Sequence, residues 1–79
     1  MQVQVRFTRA ARRHRVGRAH ALHVMNTSKP ATSIRSQDEE LRYWIGIDDR
    51  GVELEIAAVV RPDCLLVLHV MPTALRRKR

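Results

Sequence analysis

One stretch of the chain alternates apolar and polar residues on either side of a single turn, and it constrains the fold more than any other feature. Leu41, Tyr43, Ile45 and Ile47 alternate with Arg42, Trp44, Gly46 and Asp48, and beyond the turn Val52, Leu54, Ile56, Ala58 and Val60 alternate with Glu53, Glu55, Ala57, Val59 and Arg61. A period of two is the signature of strands with one buried face. Asp48-Asp49-Arg50-Gly51 supplies the turn, with Gly51 free to take a positive φ. If Ile47 faces Val52, then Ile45 faces Leu54 and Tyr43 faces Ile56, so the apolar sides coincide and the register is specified. This pairing predicts Tyr43 in the core and Trp44 on the opposite face.

The remaining elements follow from punctuation and period. Residues 2–7 alternate, with Val3, Val5 and Phe7 on one side, and predict a short strand. Thr8 stands where a helix N-cap belongs, and Gly17 is costly within a helix but acceptable as a cap or breaker. Two short helices are therefore expected, about 8–14 and 18–26, the second with an apolar stripe of Ala21, Leu22 and Met25. Residues 26–40, rich in Pro, Ser and Thr with Ile34 as sole anchor, read as a long flexible surface loop. Pro62-Asp63 makes a turn into a third strand, Cys64 to Met71, apolar almost throughout and so central or covered on both faces. Across an odd-length loop, Cys64, Leu66, Leu68 and Val70 would join the core. Pro72 and Thr73 end the strand, and residues 74–79 form a basic tail.

The expected fold is α+β, in the order β-α-α-β-β-β: an antiparallel sheet of three to four strands with two short helices packed on one face. Residues 1–79 are expected to make a single small domain. The other face of the sheet would carry Arg42, Trp44, Glu53, Glu55, Arg61, Leu65, Val67, His69 and Met71. An apolar patch flanked by charges is a binding surface.

Charge is segregated along the chain. All eight acidic residues lie between Asp38 and Asp63, whereas residues 1–37 hold eight positive charges, and Arg76, Arg77, Lys78 and Arg79 close the sequence. A formal charge of +7 calls for a negative partner, nucleic acid or an acidic protein. The single cysteine, Cys64, excludes an intrachain disulfide and reads as a small buried apolar residue. His20 and His23 are two ligands too few for a metal, so neither metal nor cofactor is expected. No run approaches the roughly 18 apolar residues of a membrane span, and the first seven residues lack a signal peptide's apolar stretch. No membrane partner and a cytoplasmic, reducing home are the expectations. So small a core also favours a partner chain, a second protein or a homodimer.

Three short segments carry a family resemblance: Arg12-Arg13-His14-Arg15-Val16 leading into the second helix, Arg42-Tyr43-Trp44-Ile45-Gly46-Ile47, and Leu66-Val67-Leu68-His69-Val70-Met71-Pro72-Thr73. In these, and in element order and size, the chain resembles the BrnT/RelE-like superfamily of bacterial type II toxin–antitoxin toxins. It departs from that pattern in its opening strand and in lacking a basic-Arg-x-x-Tyr ending. The resemblance implies a toxin that cleaves RNA without metal, on the ribosome or free of it, and that a cognate antitoxin neutralises.

Such cleavage needs a 2′-hydroxyl deprotonated, a crowded phosphate stabilised and a leaving 5′-oxygen protonated, the work of histidine and arginine. His69 is the candidate acid or base, Arg42 and Arg61 the candidate phosphate clamps, and Trp44 a stacking platform for a base. Arg9, Arg12, Arg13, Arg15 and Arg18 are the candidate RNA-binding residues. Each has a plainer reading: His69 paired with Glu55 across strands, His14 packed at the turn between helices, and the arginines a solvated face. The alternative functions are a non-catalytic nucleic-acid-binding module or a protein-interaction domain of the same fold.

Overall fold

A computed structural model of the chain describes residues 4–77. The expected Gln2 and Val3 of the first strand, and Lys78 and Arg79 of the tail, lie outside the described residues. Among the described residues the class is α+β, but with one α-helix and a five-stranded mixed sheet. Strand β1 (Gln4–Phe7) leads through a 3₁₀ turn (Ala10–Arg12) to helix α1 (Arg18–Thr27). Strands β2 (Ala31–Arg35), β3 (Glu39–Ile47), β4 (Glu53–Val60) and β5 (Cys64–Pro72) follow, and a second 3₁₀ turn spans Thr73–Arg77. The sheet order is β1-β5-β4-β3-β2, with β1 parallel to β5 and the other neighbours antiparallel.

The hairpin of β3 and β4 forms where expected, one residue out of the expected register. Ile47 faces Glu53, Ile45 faces Glu55 and Trp44 faces Ile56. The Asp48 carboxylate is the cause. One oxygen accepts the main-chain N–H groups of Arg50 at 2.7 Å and Val52 at 3.0 Å, and the other accepts Arg50 Nε and Nη2 at 2.9 and 2.6 Å. Asp48 N–H in turn donates to the Val52 carbonyl, and Gly51 takes φ 82°, so the loop is three residues closed by a Gly bulge rather than four. A one-residue slip exchanges faces. Trp44 is therefore in the core at 4% exposure, and Tyr43 stands out at 44%.

Helix α1 packs on β3 and β4, placing Ala21 and Val24 against Trp44, Leu54, Ile56 and Ala58. Leu22 and Met25 of the expected stripe are only half-buried. Gly17 caps the helix as expected. Gly46 lies under its C-terminal end: a methyl group there would overlap Ser28 Oγ and press on Val24. The first expected helix is reduced to the 3₁₀ turn. Thr8 Oγ1 does accept the Ala11 N–H at 3.1 Å, but Arg15 turns into the left-handed region at φ 57°. A longer helix here would stack Arg9, Arg12 and Arg13 at unfavourable i, i+3 and i, i+4 spacings.

Strand β2 occupies the segment expected as a loop. Both its faces are exposed, and a tight connection with Gln37 and Asp38 at positive φ joins it to β3. In β5 a bulge sets Ala57 opposite His69 but Ala58 opposite Val67, leaving Leu68 as the extra residue. The Pro62-Asp63 loop has two residues, closed by the Arg61 N–H to Cys64 carbonyl bond. Val67 and Val70 thus both reach the core, correcting the alternation expected for this strand.

Two outcomes test this account. Gly46→Ala is expected to destabilise the fold by about 1–3 kcal/mol through overpacking, with a favourable coupling to Ser28→Ala in a double-mutant cycle. Asp48 titrates at about 2 against an ordinary 3.8: burial acts to raise it, and the bonds from Arg50 and the main chain outweigh that. A carboxyl depressed in the fold stabilises above its unfolded value and loses that contribution as pH falls from about 4 towards about 2. Asp48→Asn is expected to flatten the stability profile across that window, read by denaturant titration at each pH.

Candidate functional site

The register shift composes the sheet face that α1 leaves uncovered. β3 presents Tyr43 and Ile45, the latter 63% exposed, and β4 presents Glu55 opposite Ile45. His69 of β5 brings Nε2 to 2.8 Å from Glu55 Oε2. The closing 3₁₀ turn folds Arg76 back, and its Nη2 donates to the same oxygen at 2.9 Å, while Thr73 Oγ1 donates to Glu53 at 2.6 Å. Tyr43, Ile45, Glu55, His69 and Arg76 border a shallow cleft of about 240 Å³.

Glu55 is buried, and burial acts to raise its pKa, but the hydrogen bonds and charges of Arg76 and His69 hold it below the ordinary value. An ionised carboxylate only accepts, so His69 Nε2 carries the proton it donates to Glu55. In the neutral ring this leaves Nδ1 as the acceptor. His14 stands edge-on to His69 with ring centroids 6.2 Å apart. The face thus gathers two imidazoles, a carboxylate and a guanidinium whose side chain is 71% exposed.

The expected trio of His69, Arg42 and Arg61 does not assemble. Arg42 faces Ala58 on the helix side of the sheet and donates to Glu40 at 2.9 Å. Arg61 lies past the end of β4 and reaches Glu39 at 3.7 Å. Trp44 is packed among core residues and offers no stacking face on the surface where it was expected. Glu55 does pair with histidine and arginine, through Arg76 rather than Arg42 or Arg61. The sequence reading missed Arg76 and Tyr43 as members of the site. A three-residue loop at Asp48 was the signal that would have turned Tyr43 outward.

Arg9, Arg12, Arg13, Arg15 and Arg18 are all exposed. Among the described residues none of them makes an ion pair, whereas Arg35, Arg42, Arg50, Arg61 and Arg76 each have an acidic partner. Arg12, Arg15 and Arg18 line a cleft of about 460 Å³ with Phe7, Ala11 and Val16. Arg18 lies over the Phe7 ring at 5.3 Å and donates to the Val5 carbonyl at 3.2 Å. His20 does not join His23: its Nδ1 is 2.6 Å from Asp49 Oδ1, a bond that pins α1 to the β3–β4 turn and lowers the Asp49 pKa. Asp48 completes a group of possible ligands within 4.8 Å, but its oxygens already accept four N–H bonds.

Arg15 allows stability and binding to be separated. A non-glycine residue in the left-handed region costs on the order of 1 kcal/mol. Arg15→Gly is expected to leave stability unchanged or raise it by less than about 1 kcal/mol. Were the exposed arginines to hold single-stranded RNA, the same change would weaken that binding and reduce its log–log salt slope by roughly 0.7, read by fluorescence anisotropy. No family model, curated protein or solved structure matches the chain.

Proposed function

We propose that this protein is a metal-independent RNA endonuclease acting as the toxin of a type II toxin–antitoxin pair, inhibiting translation until a cognate antitoxin neutralises it. The observation that carries the reading is the convergence of His69, Glu55 and Arg76, with His14 beside them, on an exposed sheet face. In the reaction a 2′-oxygen attacks the adjacent phosphorus, the bond to the 5′-oxygen breaks, and a 2′,3′-cyclic phosphate and a 5′-hydroxyl result. His69 Nδ1 accepts the 2′-hydroxyl proton, with Glu55 stabilising the imidazolium that forms. Arg76 moves from Glu55 to the crowded phosphate, where its charge is needed most. His14 is the second group able to deliver a proton, to the leaving oxygen. Exposed Tyr43 takes the stacking role first expected of Trp44. RNA, ribosome-bound mRNA included, approaches over the unpaired arginines that flank His14 in sequence.

A protein-interaction role for the same face has its own support. Tyr43, Ile45 and Ile47 are exposed together along β3, an apolar strip that a protein partner could cover. In the toxin reading that partner is the antitoxin, and covering the strip would also close the cleft at His69. Among the described residues no helix is long and apolar enough to cross a membrane.

Expression in a bacterial host is expected to arrest growth, and the purified chain to cut RNA with undiminished rate in excess chelator. His69→Gln and Arg76→Ala should each lower the cleavage rate by roughly 10²–10⁴-fold, with RNA affinity changed little. Folded variants that cut as fast as the parent would remove this face from catalysis. Cleavage and growth arrest both absent in the parent would leave the interaction role alone.

A further inference from the structure

We propose that the arginine cleft is a separate binding site for a terminal phosphomonoester attached to a nucleotide, whether the phosphorylated end of an RNA or a free mononucleotide. The cleft is concave and of limited extent, about 460 Å³, within the range of sites that enclose a small ligand. It is lined by three guanidiniums and three apolar side chains, with no carboxylate among them. Its charge is also uncompensated nearby, because Arg12, Arg15 and Arg18 make no ion pair with a described residue, while Glu39, Glu40, Asp48, Asp49 and Glu55 are each paired with a residue from His20 onward.

The arrangement suits an end better than a passing backbone. An internal phosphodiester brings one negative charge and continues in both directions, which calls for a stripe of cations. A terminal phosphate brings nearly two charges and three strong acceptor oxygens, and it stops. Three arginines around one hollow match that demand. Two of them are already oriented: Arg12 Nη2 donates to the Phe7 carbonyl at 3.5 Å and Arg18 Nη2 to the Val5 carbonyl at 3.2 Å. Each guanidinium keeps its other N–H groups for a ligand. Arg15 lines the same cleft from a left-handed backbone that a glycine would adopt with less strain, so stability is given up where a cation is placed. Phe7, Ala11 and Val16 offer an apolar wall for the attached ribose and base, and the plane of Arg18 over Phe7 extends it as a stacking surface.

The test uses the intact chain and 2′-O-methyl pentanucleotides, which lack the attacking hydroxyl and so cannot be cut by the proposed chemistry. Four probes are titrated by calorimetry: the oligomer with a 5′-phosphate, with a 3′-phosphate, with neither, and a free nucleoside monophosphate. At least one phosphorylated oligomer is expected to bind roughly tenfold more tightly than the unphosphorylated one. The preferred end then identifies the RNA terminus. A monophosphate of matching affinity identifies the mononucleotide instead. Arg12→Gln and Arg15→Gly should each erase the preference, with circular dichroism confirming the fold. Equal affinity for all three oligomers, with the monophosphate unbound, overturns the proposal while leaving RNA cleavage at His69 untouched. Retention of the preference in a chain that cuts no RNA would do the reverse.

Discussion

The carboxylate of Asp48 decides which side of the sheet is inside. It satisfies two main-chain N–H groups and the Arg50 guanidinium within one short turn, which closes the loop at three residues. With a four-residue loop, Tyr43 would stand in place of Trp44 beneath α1, and Glu55 would lie across from a different neighbour. The cluster of Glu55, His69 and Arg76 therefore depends on a turn to which it makes no direct contact. Local hydrogen bonding at one end of a hairpin prevailed over a register in which both apolar sides would have coincided. The mismatch leaves an apolar strip exposed on β3, and that strip is part of what makes the face usable by a partner.

Charge is partitioned as strictly in space as in sequence. From Arg35 to Arg76 every described arginine has an acid beside it, at hairpin ends, on strands or in turns. The arginines from Arg6 to Arg18 have main-chain carbonyls, an aromatic ring or solvent instead. Surface ion pairs add little to stability individually. Their effect here is to neutralise the strands and leave the amino-terminal segment as the positive surface.

The central hairpin, the helix capped by Gly17 and the Pro62-Asp63 turn were legible because each rests on local signals of period, cap and turn chemistry. Strand β2 was not. Ala31-Thr32-Ser33-Ile34-Arg35 buries neither face, so it lacks the alternation by which a strand declares itself, and backbone pairing to β3 holds it. The bulge at Leu68 likewise breaks period two by a long-range fit that no local pattern encodes. Of the candidate site, His69 and its pairing with Glu55 were visible, because cross-strand neighbours follow from alternation alone. Arg76 was not, since a tail folding back over a sheet is a tertiary event. Trp44 and Arg42 were assigned the wrong side by the same single-residue error that misplaced Tyr43.

The parallel pairing of β1 with β5 sets an order of assembly. Gln4 meets Cys64 across roughly sixty residues of intervening chain, whereas β3, β4 and β5 are joined by tight turns. Contacts so distant in sequence form late, after the loop-closure entropy is met by a nucleus already in place. The meander can condense before β1 docks on it. Phe7, which lines the arginine cleft, sits on the strand that docks last. During synthesis the cleft therefore stays incomplete until β5 has been made and is free to receive β1, so maturation of this surface is timed by the far end of the sheet.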